Sequence, residues 1–149
     1  MPLGFCEPDL IVNPSVLVVP NASRYHFGVL QSTMHMAWMR SVCGRMKSDY
    51  QYSNTIVYNN FPWPNPTEKE IKAIEEKAQA ILDARAEHQT STLADLYNPL
   101  TMPPNLVKAH QNLDKAVDAA YGYKSGKDDA TRVAFLFALY QDLLAQSKS

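Results

Sequence analysis

Hydrophobic residues recur at helical spacing in the second half of the chain. The first amphipathic segment starts at Thr67, which forms a capping box with Glu70, and continues to about His88. Its apolar stripe consists of Ile71, Ile74, Ala78, Ile81 and Leu82. A short turn over residues 93–97 follows. The stripe predicts a helix that packs one face against a core.

Two further helices are predicted after that turn. A proline pair at 103–104 is suited to the first turn of one helix, and the segment 122–126, with a glycine at each end, terminates it. Asp128 or Asp129 then caps the last helix. The apolar positions are Leu106, His110, Leu113, Val117 and Tyr121 in one helix and Val133, Leu136, Phe137, Tyr140, Leu143 and Leu144 in the other. Three amphipathic helices with short connections predict a small antiparallel bundle over residues 67–149.

The first half of the chain has a different pattern, with β-rich runs and most of the aromatic residues. The run Val16–Val19 predicts a buried strand. Ser23 or Ser32 can cap helical turns that extend to Val42, and Gly44 is suited to end them. The residues expected to be buried there are Met34, Met36, Trp38 and Met39, with His35 partly buried. We therefore expect an α+β portion with short strands and a helix before the helical bundle, in a chain that is mostly α overall.

The chain changes character near Pro66. Alternate prolines in the segment Phe61–Pro66 exclude a helix and favour extended geometry. Residues 1–66 hold 4 of the 14 basic and 3 of the 15 acidic residues, and residues 67–149 hold the other 10 and 12. We predict that 1–66 is the C-terminal portion of one domain and that 67–149 is a helical domain.

The composition is that of an ordinary soluble protein. Hydrophobic residues make up 46% of the 149 positions and charged residues 19%, which argues against disorder. The net charge of −1 gives no general attraction to nucleic acid, so any such contact must be local. No apolar stretch approaches the ~18 residues of a membrane span, and the first residues lack a signal-peptide pattern. Cys6 and Cys43 are isolated, as expected of a reduced, cytoplasmic protein with two buried thiols.

The sequence lacks the motifs of a self-contained enzyme. Its five glycines are too far apart to cradle a phosphate or a nucleoside cofactor, and there is no His-Glu-x-x-His motif. The segment Asn60–Trp63 has some likeness to the Asn-Pro-Pro-aromatic motif of adenine methyltransferases, but Phe61 stands where the first proline belongs. We interpret this segment as packing, and we predict no catalytic, cofactor-binding or metal-binding residue in these positions.

Between Lys47 and Tyr52, long polar residues alternate with Ser or Tyr. If this segment is extended, Lys47, Asp49 and Gln51 share one face. These side chains suit base edges, because Lys donates to guanine, Asp accepts from cytosine and Gln pairs with adenine. The other positions are Ser48, Tyr50 and Tyr52. Alternation alone favours the competing interpretation, a solvated strand face.

Basic residues flank the alternating segment. Arg40, Arg45 and Lys47 fall within eight residues. Such groups usually hold phosphates, which positions a protein on DNA without specifying the sequence. The residues predicted to contact the DNA backbone or to support the base-reading residues are Arg40, Arg45, Tyr50, Tyr52 and Ser53.

The string Tyr58–Pro64, Tyr-Asn-Asn-Phe-Pro-Trp-Pro, is the most specific of several runs that point to one family. The other runs are Tyr25–Leu30, His35–Arg40, Val42–Arg45, Lys47–Tyr50, Ile56–Val57, Ala84–Arg85, Leu93–Tyr97, Met102–Pro103, Ala109–His110, Leu113–Asp114 and Ala116–Asp118. Over nearly its whole length the chain resembles the C-terminal end of MmeI-like DNA methyltransferases, a family that includes fused type II restriction–modification enzymes.

This resemblance implies a place in a longer protein. In such enzymes an S-adenosylmethionine-dependent adenine methyltransferase is followed by a target-recognition domain and a helical tail, and a nuclease is sometimes fused in front. Residues 1–66 resemble the last part of the recognition domain and 67–149 the tail. Catalysis and the S-adenosylmethionine site are therefore expected upstream. The implied partners are double-stranded DNA and the upstream methyltransferase domain of the same chain, with no membrane.

The resemblance also implies roles for the alternating residues. The positions matching Lys47 and Asp49 act together to choose one base pair, and the position matching Gln51 helps to choose another, where relatives often carry a basic residue. The implied function is DNA sequence recognition in the major groove. The alternative is a non-catalytic helical protein-interaction module whose strand face is solvated.

Overall fold

Six helices and one short hairpin are placed in the part of the chain that the structure describes. The structure, a computed structural model, describes residues 22–42 and 60–147 and the backbone of residues 44–46 and 49–51. The elements in chain order are α1 (Arg24–Gln31), α2 (Thr33–Val42), β1 (Gly44–Met46), β2 (Asp49–Gln51), α3 (Glu68–Ala86), α4 (Leu93–Leu96), α5 (Pro104–Tyr121) and α6 (Asp129–Ser147). The predicted strand at Val16–Val19 and the two cysteine thiols lie outside the described residues.

The prediction of an α+β portion before the bundle is wrong for the described residues. Two helices, of 8 and 10 residues, dominate there, and the β structure is limited to one hairpin of two three-residue strands. The helical turns predicted between Ser23 and Val42 are present as these two helices, and their apolar residues supply most of the core in this part of the chain. Phe27, Val29 and Leu30 are buried in α1, and Met34 and Trp38 are buried in α2.

Serine residues at both predicted positions begin these helices. Ser23 is the N-cap of α1, and its backbone N–H donates to the ring nitrogen Nδ1 of His26 at 3.1 Å. Ser32 separates the two helices, and its hydroxyl oxygen accepts the backbone N–H of His35 at 3.3 Å. The chain therefore turns between α1 and α2 where the single helix of the prediction would have continued.

The predicted boundaries of the later helices are confirmed. Thr67 and Glu70 form the capping box of α3. Pro103 is the N-cap of α5, and Gly122 ends that helix in the left-handed conformation at φ 67°. The Asp128 carboxylate accepts a backbone N–H from the first turn of α6. In place of the predicted turn, residues 93–96 form the short helix α4.

The helical bundle predicted for the second half is present, but it includes helices from the first half. Helix α3 packs against α5 and α1, whereas α6 packs against α2. A single core joins the two halves, and its members include Phe27, Trp38, Phe61, Ile74, Ile81, Leu106, Leu113 and Leu136. The change of composition near Pro66 is therefore not a boundary between two separate cores.

Gly28 allows α1 to lie close to α3. A Cβ atom at this position would lie 2.7 Å from Cγ2 of Ile74 and 3.2 Å from Cδ1 of Leu113. Since real Cβ atoms essentially never come as close as 2.7 Å to another atom, a larger residue would push the helices apart.

The proline-rich segment after the hairpin packs into the core, as predicted. Phe61 and Pro62 are buried, and the Phe61 ring meets the His35 ring edge to face at 4.6 Å between centroids. The Tyr121 hydroxyl donates to the Pro62 carbonyl at 2.7 Å, which ties the segment to the end of α5. Within the described residues, no helix is long and apolar enough to cross a membrane.

The predicted buried side of α6 is only partly correct. Leu136 is fully buried, but Phe137 is 40% exposed and Leu143 and Leu144 are each 42% exposed. Arg132, a charged residue, takes a core position and is 4% exposed. Its burial is possible because Asp118 of α5 pairs with it.

Candidate nucleic-acid interface

Residues 49–51 of the alternating segment form the second strand of an antiparallel hairpin. Position 49 pairs with 46, 50 with 45, and 51 with 44. Because paired and alternate positions of a hairpin share a face, 44, 46, 49 and 51 lie on one face and 45 and 50 on the other. The backbone thus brings the predicted base-reading positions Asp49 and Gln51 to the same face.

The other predicted members of this interface are only partly described. Lys47 falls between β1 and β2, outside the described residues, as do Tyr52 and Ser53. Arg45 lies in β1, on the face opposite Asp49, and Tyr50 is its direct partner across the hairpin. Of the predicted interface, the hairpin backbone therefore places positions 45, 49, 50 and 51.

Helix α2 positions this hairpin. It ends at Val42, and β1 begins at Gly44 after one intervening residue. Six consecutive residues of α2, from Met34 to Met39, are buried. The buried helix therefore fixes the position at which the hairpin begins, and a recognition element requires such support.

A carboxylate from α5 holds the first turn of α2. The backbone N–H of Thr33 donates to Oδ1 of Asp114 at 2.8 Å, and the Thr33 hydroxyl donates to Oδ2 at 2.6 Å. This places a negative group at the positive end of the helix dipole. Burial raises the pKa of the Asp114 carboxyl, and the two hydrogen bonds from Thr33 act in the opposite direction.

The last turn of α2 is held by the start of α6. Arg40 Nε lies 2.7 Å from Oδ2 of Asp129, and Arg40 Nη2 lies 3.1 Å from Oδ1. The guanidinium predicted to hold a phosphate is therefore paired with a carboxylate in this structure.

A second ion pair fixes α6 on α5. Nη1 of Arg132 lies 2.6 Å from Oδ1 of Asp118, and Nη2 lies 3.1 Å from Oδ2. The Arg132 guanidinium also lies over the Tyr123 ring, 5.0 Å from its centroid. Such a two-point pair with a planar contact is specific to arginine.

A polar cluster joins α3, α4 and α5 away from the hairpin. Nε and Nη2 of Arg85 donate to the Tyr97 hydroxyl oxygen at 3.0 and 2.7 Å. With both donors on that oxygen, the phenol proton is directed to Nε2 of His110, 2.6 Å away. Burial and the Arg85 charge lower the pKa of His110 to about 4, so the ring is neutral and accepts this bond. The cluster is a structural connection with no residue of the predicted interface in it.

His35 is more deeply buried than the sequence suggested. Its side chain is fully enclosed, and burial lowers its pKa to about 3. The neutral ring packs against Phe61, so His35 contributes to the core beside α2.

Two family models together match almost the whole chain. The MmeI C-terminal domain matches residues 66–147, and the MmeI target recognition domain matches residues 1–65. This chain belongs to the MmeI family. The resemblance inferred from the sequence is thereby confirmed.

Two relatives show how far the likeness to MmeI-family proteins extends. DNA methyltransferase A of Bacillus subtilis (strain 168) is 43% identical over 143 residues, which is 96% of this chain and 16% of that protein. The solved structure of the Type IIL restriction–modification enzyme MmeI in complex with DNA is 54% identical, with a TM-score of 0.83 over 85% of this chain and 17% of that one. The chain spans about one sixth of the length of these relatives.

Sequence reasoning missed two acidic residues of α5 that hold the neighbouring helices α2 and α6 in this MmeI-family chain. Asp114 and Asp118 are four residues apart on α5, a spacing that places both on one face of a helix. That spacing was visible, but it is also common on solvated faces. Their partners, Thr33 and Arg132, are identified only by the fold.

Proposed function

We propose that this chain is the DNA-recognition end of a larger S-adenosylmethionine-dependent DNA adenine methyltransferase of the restriction–modification type. The match of residues 1–65 to the MmeI target recognition domain carries this proposal. Further support comes from the similar MmeI enzyme, whose structure was solved in complex with DNA. Residues 1–66 form the end of the recognition domain and residues 67–149 the helical tail.

The hairpin presents the residues that read the DNA sequence in the major groove. Asp49 accepts from the amine of a cytosine, and Lys47 donates to the ring nitrogen and keto oxygen of the paired guanine. Gln51 contributes to the choice of another base pair. The shared face of positions 49 and 51 supports this assignment, since neighbouring bases must be met from one side.

The backbone contacts follow from the flanking residues. Arg40, Arg45, Tyr50, Tyr52 and Ser53 hold phosphates or support the reading residues, which fixes the register of the hairpin on the duplex. With few cations in this part of the chain, binding by the chain alone is weak and sensitive to salt.

The chemistry belongs to the upstream part of the same polypeptide. S-adenosylmethionine and the residues that transfer its methyl group lie in that part, and this chain supplies the choice of site. The 149 residues are therefore expected neither to methylate DNA nor to bind S-adenosylmethionine when tested alone.

The experiment compares the methylated sequences of the intact protein and of single variants. With Asp49→Ala, methylation should decrease or become less selective at one G·C pair of the site, and with Gln51→Ala at a different base pair. Gln111→Ala, which changes an exposed residue of α5, is the matched control and should leave the methylated sequence unchanged. If neither hairpin variant alters any position, the hairpin face is solvated and the chain acts as a helical interaction module.

A further inference from the structure

Helix α6 has far fewer charges than a helix of the same length elsewhere in the chain. Helices α3 and α6 both have 19 residues. Nine of those in α3 are charged (four Glu, one Asp, three Lys and one Arg), against three in α6 (two Asp and one Arg). Two of the three, Asp129 and Arg132, are already in ion pairs. A helix this poor in charge is typical of one that is covered on more than one side.

One face of α6 is exposed from residue 130 to residue 145 and carries no charge. Seven positions at helical spacing form this outer face, and each of them is exposed. They are Ala130, Ala134, Phe137, Ala138, Gln141, Leu144 and Ala145. Its two large apolar side chains, Phe137 and Leu144, are 40% and 42% exposed, and large apolar groups that lie together on a surface often mark a contact site.

The outer face lies on the helix that contacts α2. Helix α6 packs against α2, and Phe137 of the outer face meets the Trp38 ring of α2 at 5.1 Å between centroids. Whatever covers the outer face therefore lies next to the helix that leads into the hairpin.

The size of the outer face bears on what covers it. From residue 130 to 145 a helix rises roughly 24 Å, and a helix with its side chains is about 10 Å wide. The face thus offers a few hundred Å², well below the roughly 800 Å² per partner of a stable complex between separate molecules. Such a small contact suits two parts of one polypeptide, whose effective concentration is high.

The length of the relatives indicates which part of the polypeptide could cover the outer face. The chain corresponds to 16% of the Bacillus subtilis relative and 17% of the solved MmeI enzyme, so most of each relative corresponds to no residue described here. We propose that the outer face of α6 is the surface on which the upstream part of the same polypeptide packs. This proposal rests on the proposed function, since it requires that the chain is part of a larger methyltransferase.

The test is photo-crosslinking in the intact protein. A benzophenone-bearing amino acid replaces Ala138 in the middle of the outer face, and in a control protein it replaces Leu100, which is 93% exposed on the connection between α4 and α5. Position 138 should give crosslinks within one molecule to residues upstream of this chain. Position 100 should give far fewer of these crosslinks. Crosslinks between two copies, crosslinks confined to this chain, or equal yields from the two positions would overturn the proposal.

A second measurement guards against a misleading effect of the crosslinker. Ala138→Glu introduces a charge at an exposed position, so it leaves the tail itself folded but should increase proteolysis of α6 in the intact protein. Leu100→Glu should not. If Ala138→Glu leaves proteolysis unchanged, the face is not covered. Methylation mapping of Asp49→Ala reports on DNA recognition independently, so the docking surface and the proposed function can fail separately.

Discussion

Arg40 and Asp129 form a two-point ion pair between the last turn of α2 and the first residue of α6. A carboxylate and a phosphate meet a guanidinium in the same forked geometry. Asp129 therefore occupies the donors that we propose for a DNA phosphate. Because ion pairs in exposed positions are weak, a phosphate can replace this carboxylate at a small energetic cost.

Asp129→Asn should release Arg40 for DNA. We expect tighter binding of the intact protein to DNA at low salt, because a cation is no longer neutralised within the protein. The free energy of unfolding should fall by no more than about 1 kcal/mol, since the pair is exposed. DNA titrations at several salt concentrations measure the first effect, and urea unfolding measures the second.

Asp142→Asn is the matched control for that experiment. It removes the same charge from an exposed position of the same helix, away from Arg40. If both variants raise the affinity equally, the gain comes from net charge, and the exchange of partners at Arg40 is wrong.

The buried pair of Arg132 and Asp118 should matter far more for stability. Arg132→Met leaves the Asp118 carboxylate without its two donors in a mostly enclosed position, which typically costs about 3–5 kcal/mol. Urea unfolding of the variant gives this value. Replacing both residues, as Arg132→Met with Asp118→Leu, should recover part of the loss. A double variant that loses more stability than the two single variants together would contradict this explanation.

Gly28→Ala tests the close approach of α1 and α3. The added methyl group would meet Ile74 and Leu113, and we expect a loss of about 1–3 kcal/mol despite the better helix propensity of alanine. Thermal unfolding is the measurement. Combined with Ile74→Ala, which removes the nearest methyl group, Gly28→Ala should cost less than it does alone. If Gly28→Ala lowers the stability equally with and without Ile74→Ala, the contact with Ile74 is not the cause of the loss.

One buried and one half-buried histidine, His35 and His110, should make the protein less stable in mild acid. The folded pKa values of His35 and His110 are lowered to about 3 and about 4, against about 6.5 in an unfolded chain. Between those values the unfolded chain binds more protons than the folded one. The stabilising contribution is therefore complete above about pH 6.5 and is lost as the pH falls towards the folded values.

Urea unfolding between pH 7.5 and 5.5 measures this loss, because that range lies above the ordinary carboxyl pKa values of roughly 4. His110→Gln keeps an acceptor for the Tyr97 hydroxyl but removes the proton site. Its unfolding free energy should depend less steeply on pH. An unchanged slope would mean that His110 already binds its proton in the folded state.

The sequence predicted the helix ends, which depend on residues close together in the chain. Thr67 with Glu70, Ser23 and Gly122 act on backbone groups within one turn, so their effect is visible in the order of residues. It could not predict pairs that depend on the fold. Thr33 with Asp114 and Arg40 with Asp129 are separated by 81 and 89 residues, and each carboxylate had many equally plausible partners.

The class of the first half was misjudged for a related reason. The β-rich run Val16–Val19 suggested an α+β class because such residues favour strands on average, whereas the helices that begin at Ser23 and Ser32 supply the core of the described part through tertiary packing. For the interface, alternation predicted the strand that carries positions 49 and 51 on one face, whereas the first strand of the hairpin, β1, had no separate signal. The roles of Lys47, Asp49 and Gln51 in base reading stay predictions.

The most direct test of the central claim is methylation-site mapping of a charge-exchanged hairpin. Lys47→Glu with Asp49→Arg, in the intact protein, reverses the donor and acceptor that face one base pair. The recognised G·C pair should become C·G at that position alone, and either single change should lower methylation at every site, since each base contact contributes about 1–3 kcal/mol. If the double variant methylates the original sequence unchanged at every position, Lys47 and Asp49 do not read the DNA.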